Sequence, residues 1–218
     1  MQVSHAIRER RSVRAFLSDP VDTEAVIQII ELAKWAPSWA NMQDWDVYVV
    51  TGEPLERIKT GLALRAESGT QAAPDLPMPG AERPDYLSAR MNVLRPFPEA
   101  AETRSGAGIS DLYGAPCLVL LAVDSALPPT YACFDAGLFT QTFCLAAEDR
   151  GFATCIMAMP VRYPEMLRAE IPQAAVKRFV VGIAFGLSDP VAIANRTERT
   201  RVEFDEIASV VGDKSHVG

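Results

Sequence analysis

The feature that most constrains the fold is a pair of apolar segments in the second half of the chain. The first, APCLVLLAVD at 115–124, is an almost continuous apolar run, which is typical of a strand buried on both faces. The second, TYACFDAGLFTQTFCLAAEDRG at 130–151, is apolar on nearly every side until its last turn, and it ends at a C-cap glycine. A helix of this kind should be central. The two segments therefore predict a sheet with a buried strand and a central helix.

The other segments alternate between helical and strand patterns. A short helix is expected over 3–11, and an amphipathic helix begins at Asp22 or Thr23 and ends before Pro37. Further strands are indicated at 45–52, 152–159 and 178–186, and further helices at 53–67 and 163–171. This order predicts an α+β fold (an α/β sandwich), with a sheet covered by helices. The length of 218 residues is compatible with one domain over 1–218.

Residues 68–110 differ from the rest of the chain. They are rich in Pro and Gly, and only YLSARMNVL at 86–94 has helical character. We interpret the segment as an irregular insertion within the domain. Long excursions of this kind often cover or shape a pocket.

Composition excludes several classes of function. A formal charge of -7 disfavours a nucleic-acid binder, and no apolar run is long enough to cross a bilayer. The N-terminus lacks the basic-then-apolar order of a secretory signal, so the cytoplasm is the expected location. The two histidines, His5 and His216, have no catalytic or metal-binding context. The cysteines lack metal-site spacing and are interpreted as buried thiols: Cys117, Cys133, Cys144 and Cys155.

Basic residues cluster around a hydroxyl in ERRSVRAF at 9–16. Arg10, Arg11 and Arg14 surround Ser12 in an otherwise acidic chain. Guanidinium groups bind phosphate oxygens bidentately, and a hydroxyl can complete such a shell. A phosphate ligand would explain the cluster. From spacing alone, a solvated face paired with neighbouring carboxylates explains it equally well.

Two further polar segments add to this pattern. APSWANMQDW at 36–45 combines two carboxamides, Asn41 and Gln43, with two tryptophans, a set suited to a flat heterocycle. By itself it could equally be an ordinary turn. NRTERTR at 195–201 places Arg196, Arg199 and Arg201 near the C-terminus, where they could share one anion with the first cluster or form a solvated loop.

In order and spacing, these segments resemble the FMN-dependent nitroreductase family over nearly the whole chain, especially its nitrobenzoate and related nitroaromatic reductases. RRSVRAF is similar to the phosphate-binding RRSxRxF motif, and APSWANMQDW is similar to APSxxNxQPW. The segments at 115–124, 134–155, 179–186 and 195–207 follow in the expected order. This chain departs from the family pattern at Asp44, usually Pro, at Met159, commonly Gly or Ala, and at Ile109 and Ser110, where an Asn is expected.

The resemblance implies a central mixed sheet flanked by helices and a tightly bound FMN at the interface of a homodimer. It implies that the FMN phosphate and ribityl chain are held by Arg10, Arg11, Ser12, Arg14 and Arg199. The partner subunit would contribute Pro37, Ser38 and Asn41. The isoalloxazine would be lined by Gln141, Met157, Ala158 and Met159. Trp39 would border the pocket for the acceptor, although an interface contact explains it equally well.

The implied activity is reduction of nitroaromatic or similar electron-poor compounds by NADPH or NADH in a ping-pong cycle on the flavin. No residue of the chain needs to be catalytic, because the chemistry belongs to FMN N5. No GxGxxG fingerprint follows a strand, so the nicotinamide donor is expected to bind transiently over the flavin. The alternatives are the same chemistry on an activated alkene, quinone, halogenated phenol or free flavin, or a flavin-binding protein without turnover.

Overall fold

The computed structural model describes residues 1–78, 82–92, 108–196 and 199–212. The chain divides into two compact units. The first comprises Met1–Gly80 and Pro98–Arg196, and the second comprises Ala81–Phe97 and Thr197–Gly218. The description of one domain over 1–218 stays a prediction.

The described elements follow the predicted order. The helices are α1 (Val3–Glu9), α2 (Thr23–Ala33), α3 (Gly52–Glu67), α4 (Asp85–Asn92), α5 (Pro129–Asp149) and α6 (Pro164–Glu170). The strands are β1 (Trp45–Thr51), β2 (Cys117–Asp124), β3 (Ala153–Met157) and β4 (Lys177–Gly186). Short 3₁₀ segments are Trp39–Asn41, Ile109–Gly114, Pro160–Arg162, Pro172–Ala174, Ile193–Arg196 and Phe204–Glu206.

Helix ends follow local capping chemistry. The Asp22 carboxylate accepts the Glu24 amide at 3.0 Å, which caps the N-terminus of α2 where the sequence predicts its start. Gly151 has φ of 77°, the left-handed conformation expected of a residue that follows a helix. The first helix is shorter than predicted, because Arg10 leaves helical geometry and enters an extended segment.

The four strands form one sheet in the order β1-β2-β4-β3, with every strand pair antiparallel. The α+β class is confirmed. The parallel component of the expected mixed sheet is limited, in the described residues, to an isolated bridge between Ser12 and Thr154 of β3. A single bridge suffices to attach the N-terminal segment beside the sheet.

Strand β2 is buried on both faces, as its composition predicts. Alternate residues point to opposite sides, so Leu118 and Leu120 join one core with Leu55 and Ile58 of α3. Cys117, Val119 and Leu121 of β2 point to the other side and join a second core. That core also contains Val26 and Ile29 of α2 and Phe139 and Phe143 of α5. The helices on the two sides explain why no polar face is needed in this strand.

The first part of the predicted insertion is attached to this body. The Ala73 amide donates to the Arg162 carbonyl at 3.1 Å. The Asp75 carboxylate accepts from Arg168 at 2.8 Å and from the Phe179 amide at 2.9 Å. The helical character predicted at 86–94 corresponds to α4, while positions 93–94 of that prediction lie outside the described residues.

In the described ranges, no helix combines the length and apolar character needed to cross a membrane.

Candidate functional site

The arginine loop, residues 10–16, lies along the beginning of β3. Ser12 bridges Thr154, and the Val13 amide donates to the Thr154 carbonyl at 2.9 Å. Val13 and Ala15 are buried, whereas Ser12 and Arg14 are half-buried. The alternation of an extended backbone therefore places Ser12 and Arg14 on one side and the apolar residues in the core.

The charges of Arg10 and Arg14 act on a common point near β3. Burial raises the pKa of the Cys155 thiol to about 11, and the positive charges of Arg14 and Arg10 act in the opposite direction. Ser12 hydrogen-bonds to the same thiol. Ser12 and Arg14 therefore lie beside the start of β3, where a bound anion would meet the positive charge of the arginine loop.

Asn195 joins the arginine loop to the end of the first unit. The Arg14 amide donates to Asn195 Oδ1 at 2.8 Å, and the Arg11 guanidinium donates to the Asn195 carbonyl. Sequence reasoning missed this residue, although it opens NRTERTR. An asparagine carries no sequence signal that identifies a partner so far away in the chain.

The arginines of NRTERTR are divided between the two units. Arg196, in the first unit, is exposed and donates to the Pro190 carbonyl at 3.4 Å, and Arg201, in the second unit, is exposed and donates to the neighbouring Thr200 carbonyl. Arg199 belongs to the second unit, and its predicted phosphate contact stays a prediction.

The turn that precedes β1 has an unusual backbone. Ala40, Asn41 and Gln43 have positive φ values of 50°, 59° and 51°, which cost energy in residues other than glycine. Two side chains hold the turn. Ser38 Oγ accepts the Gln43 amide at 2.9 Å, and the buried Asp135 carboxylate accepts the Trp39 amide at 2.8 Å. Pro37 and Asn41 are exposed, and Ser38 is half-buried.

Asp44 closes this turn at the position where the resemblance leads one to expect proline. Its Oδ1 atom is buried and has no hydrogen-bond partner among the described residues. Burial raises the pKa of Asp44, a hydrogen bond from its own backbone amide lowers it, and the charge of Asp135 raises it by a smaller amount.

One face of α5 is exposed, unlike the all-round burial expected of a central helix. Tyr131 and Phe134 are both 62% exposed, and Gln141 lies on the same face. The exposed Trp39 ring stacks on Tyr131, with centroids 6.0 Å apart and an interplanar angle of 29°. We call Trp39, Tyr131, Phe134 and Gln141 the exposed aromatic surface.

The far end of β3 carries the remaining predicted residues. Met157 is buried, Ala158 is exposed and Met159 is half-buried. Thr154 and Ala158, which follows the end of β3, are four positions apart, about 13 Å along an extended chain. Strand β3 therefore connects the arginine loop to the residues predicted to line an isoalloxazine.

The cysteines differ in exposure. All four are free thiols, and Cys117, Cys144 and Cys155 are buried as predicted. The prediction is wrong for Cys133, which is only half-buried because it flanks the exposed face of α5. In the part of the chain that the structure describes, no three His, Cys, Asp or Glu side chains are grouped to hold a metal ion.

A comparison with protein families matches residues 7–187 to the nitroreductase family. The chain belongs to the nitroreductase family. It is 30% identical to a 4-nitrobenzoate reductase of Pseudomonas putida, over 89% of each chain. It is also 30% identical to a chloronitrobenzene nitroreductase of Comamonas testosteroni, over 96% of each chain.

Solved structures of other nitroreductases have a similar fold. NfnB from a Sphingopyxis strain, described as FMN- and NADPH-dependent, has a TM-score of 0.87 at 28% identity and covers 98% of this chain and 100% of its own. The FMN-dependent NfnB of Mycobacterium smegmatis, in complex with NADPH, has a TM-score of 0.83 at 27% identity. It covers 96% of this chain and 97% of its own. The nitroreductase fold implied by the sequence is confirmed.

Proposed function

We propose that this nitroreductase is an FMN-dependent enzyme that uses NADPH or NADH to reduce nitroaromatic or similar electron-poor compounds. The observation that carries the proposal is the attachment of the arginine loop, with Arg10, Ser12 and Arg14, along the beginning of β3. Met157–Met159 lie at its other end. The names of the relatives support the same chemistry, since they include a nitrobenzoate reductase and FMN- and NADPH-dependent enzymes.

The arginine loop fits the phosphate of FMN. Arg10 and Arg14 would donate charge-assisted hydrogen bonds to its oxygens, and Ser12 would add a hydroxyl from the same face. The extended backbone supports this fit, because it directs Ser12 and Arg14 to the same side and leaves Val13 and Ala15 in the core. Arg11 would contribute less directly, since its guanidinium also donates to the Asn195 carbonyl.

Residues at the other end of β3 would hold the flavin ring. FMN, when bound, supplies the chemistry of accepting a hydride from NAD(P)H and passing it to the acceptor. The half-buried Met159 and the exposed Ala158 would border the ring, and a backbone N–H of this segment could donate to it. Gln141 would approach from α5. The chain needs no acid or base of its own at this position.

We further propose that a second copy of the chain covers the exposed aromatic surface. Contiguous exposed apolar side chains of this size are unusual on a monomer, and Trp39, Tyr131 and Phe134 are each more than 60% exposed. The turn with Pro37, Ser38 and Asn41 adjoins that surface through the stacking of Trp39. A partner that covers Trp39 would bring this turn to its own flavin site, as the resemblance implies.

The dimer is tested with Phe134→Glu, which places a charge in the proposed interface. We expect this variant to sediment as a monomer and to lose bound FMN. Leu64→Glu is the control, because Leu64 is 59% exposed and lies on α3, which packs in the core on the other side of the sheet from α5. A wild-type protein that is monomeric and retains FMN would contradict a site shared between subunits.

The catalytic proposal is tested by anaerobic titration of the purified protein. NADPH and NADH are added separately, and bleaching of the yellow flavin absorbance reports hydride transfer. Recovery of the colour on addition of nitrobenzoate supports a nitroreductase, and parallel double-reciprocal plots support a ping-pong cycle. A yellow protein that neither donor bleaches is a flavin-binding protein without turnover. If only a quinone or an activated alkene restores the flavin colour, the enzyme has a different acceptor.

The cytoplasmic location of the protein stays a prediction.

A further inference from the structure

The segment 187–195 is connected to the arginine loop along its length. Phe16 forms an antiparallel bridge with Ser188, and the Leu17 amide donates to the Leu187 carbonyl at 2.9 Å. The Asp189 amide donates to the Ala15 carbonyl at 3.0 Å. Each of these bonds joins the main chain of the two segments. These bonds hold the two segments side by side. They do not include the backbone amide of Arg14, which bonds to a side chain instead.

Asn195 supplies that side chain. It is 8% exposed, and its Oδ1 accepts the Arg14 amide at 2.8 Å. Its Nδ2 lies 2.8 Å from the Ala15 carbonyl oxygen, 3.0 Å from the Asp189 carbonyl oxygen and 3.1 Å from Ser188 Oγ. The two amide hydrogens are therefore shared among three acceptors, and every polar atom of the side chain is used.

Only a carboxamide fits this environment. The position requires an acceptor for one backbone N–H and a donor for two backbone carbonyls within a single planar group. An aspartate would direct a negative oxygen at the carbonyls of Ala15 and Asp189. An aliphatic side chain would remove the bond to the Arg14 amide and the donor to both carbonyls; the Ala15 carbonyl would keep the Asp189 amide, but a buried group left without a partner is costly.

We propose that Asn195 is a positioning residue that holds the arginine loop in its phosphate-binding conformation. The proposal rests on the assignment of FMN to this site. Asn195 fixes the main chain of Arg14 through its side chain, and its carbonyl accepts from the Arg11 guanidinium. The main chain of Arg14 and the guanidinium of Arg11 are thereby held in place before the anion arrives. Preorganisation of this kind lowers the entropy lost when a ligand binds.

The test compares FMN with riboflavin, which has the same ring and ribityl chain but no phosphate. The dissociation constants of both are measured for the wild-type apoprotein and for Asn195→Ala by quenching of flavin fluorescence. We expect Asn195→Ala to bind FMN roughly tenfold to a hundredfold more weakly and to bind riboflavin nearly as well as wild type. The preference for FMN over riboflavin should therefore fall by a similar factor.

A purely structural role predicts a different result. Asp75→Asn is the matched control, because it weakens a half-buried ion pair in the same unit and its carboxylate bonds to Arg168 and the Phe179 amide, which lie outside the arginine loop. It should lower the melting temperature and leave the FMN preference unchanged. If Asn195→Ala behaves like this control, the positioning role is refuted. If the wild-type protein itself does not prefer FMN over riboflavin, the phosphate assignment is refuted, and with it this inference.

A second variant covers the case in which Asn195→Ala does not fold. Asn195→Asp has the same shape and keeps the acceptor for the Arg14 amide, but it loses the donor side. Its added charge is matched by Arg196→Gln, which makes the same change in net charge at the adjacent exposed residue. A positioning role predicts a larger loss of FMN preference for Asn195→Asp than for Arg196→Gln. If the two variants lose the same preference for FMN, the change in net charge explains the effect, and the proposal is refuted.

Discussion

Replacing Asp44 with asparagine should stabilise the folded protein at neutral pH. In the native structure its Oδ1 is buried without a hydrogen-bond partner among the described residues, and the Asp135 carboxylate lies nearby. Asparagine keeps an acceptor oxygen at this position but removes the negative charge, which partial burial and the Asp135 carboxylate both disfavour. The side chain is only partly buried and solvent screens the charge, so we expect a gain of at most about 1 kcal/mol. For a chain of this length, that corresponds to an increase in Tm of roughly 2 to 4 °C.

The pH dependence of this gain has a definite sign. Burial raises the pKa of Asp44 above the ordinary value of 3.8, so the folded protein binds the proton more tightly than the unfolded chain does. Stability therefore falls as pH rises through the native pKa of Asp44, and the penalty is complete above it. The advantage of Asp44→Asn should be largest at neutral pH. It should shrink as pH is lowered toward 3.8.

Thermal unfolding of wild type and variant at a series of pH values measures this difference. Asp46→Asn is the matched control, since Asp46 lies two residues away and pairs with Lys177 at 2.7 Å. That substitution removes a favourable contact and should not stabilise the protein. A lower Tm for Asp44→Asn at neutral pH would mean that the carboxylate has a stabilising partner. An advantage that is constant with pH would show that ionisation is not its cause.

Three other changes are expected to have measurable effects. Arg14→Ala should weaken FMN binding by roughly 10- to 150-fold, because it removes one charge-assisted hydrogen bond to the phosphate. Unchanged flavin retention would contradict the assignment of Arg14 to the phosphate site. Gly186→Ala should destabilise the fold by about 1 to 3 kcal/mol, because the new Cβ would lie 2.7 Å from Pro116 Cδ; a Tm equal to wild type would refute this. In the Phe134→Glu variant, which we expect to be monomeric, a thiol reagent should react with Cys133 first, because Cys133 is half-buried whereas the other three cysteines are buried. Rapid reaction of the buried thiols would contradict that order; they are Cys117, Cys144 and Cys155.

The local elements of the fold could be predicted because their causes lie within a few residues of each other. The Asp22 cap is set by the amide two positions ahead, and the apolar run of β2 is the direct consequence of burial on both faces. The arginine loop was recognisable for the same reason, since its charged residues lie within five positions. Exposure of one face of α5 was not predicted. Its aromatic residues resemble core residues in composition, and only packing shows which of them the rest of the chain leaves uncovered.

The sequence alone therefore determined the order of helices and strands, the α+β class and the positions of the two motifs, because short-range chemistry specifies each of them. Tertiary structure decided which distant groups meet. Arg14 and Asn195 are 181 positions apart, and Trp39 and Asp135 are 96 apart. Hydrogen bonds over such separations depend on strand register and on the packing of α5 against the sheet. No pattern within either segment encodes that geometry.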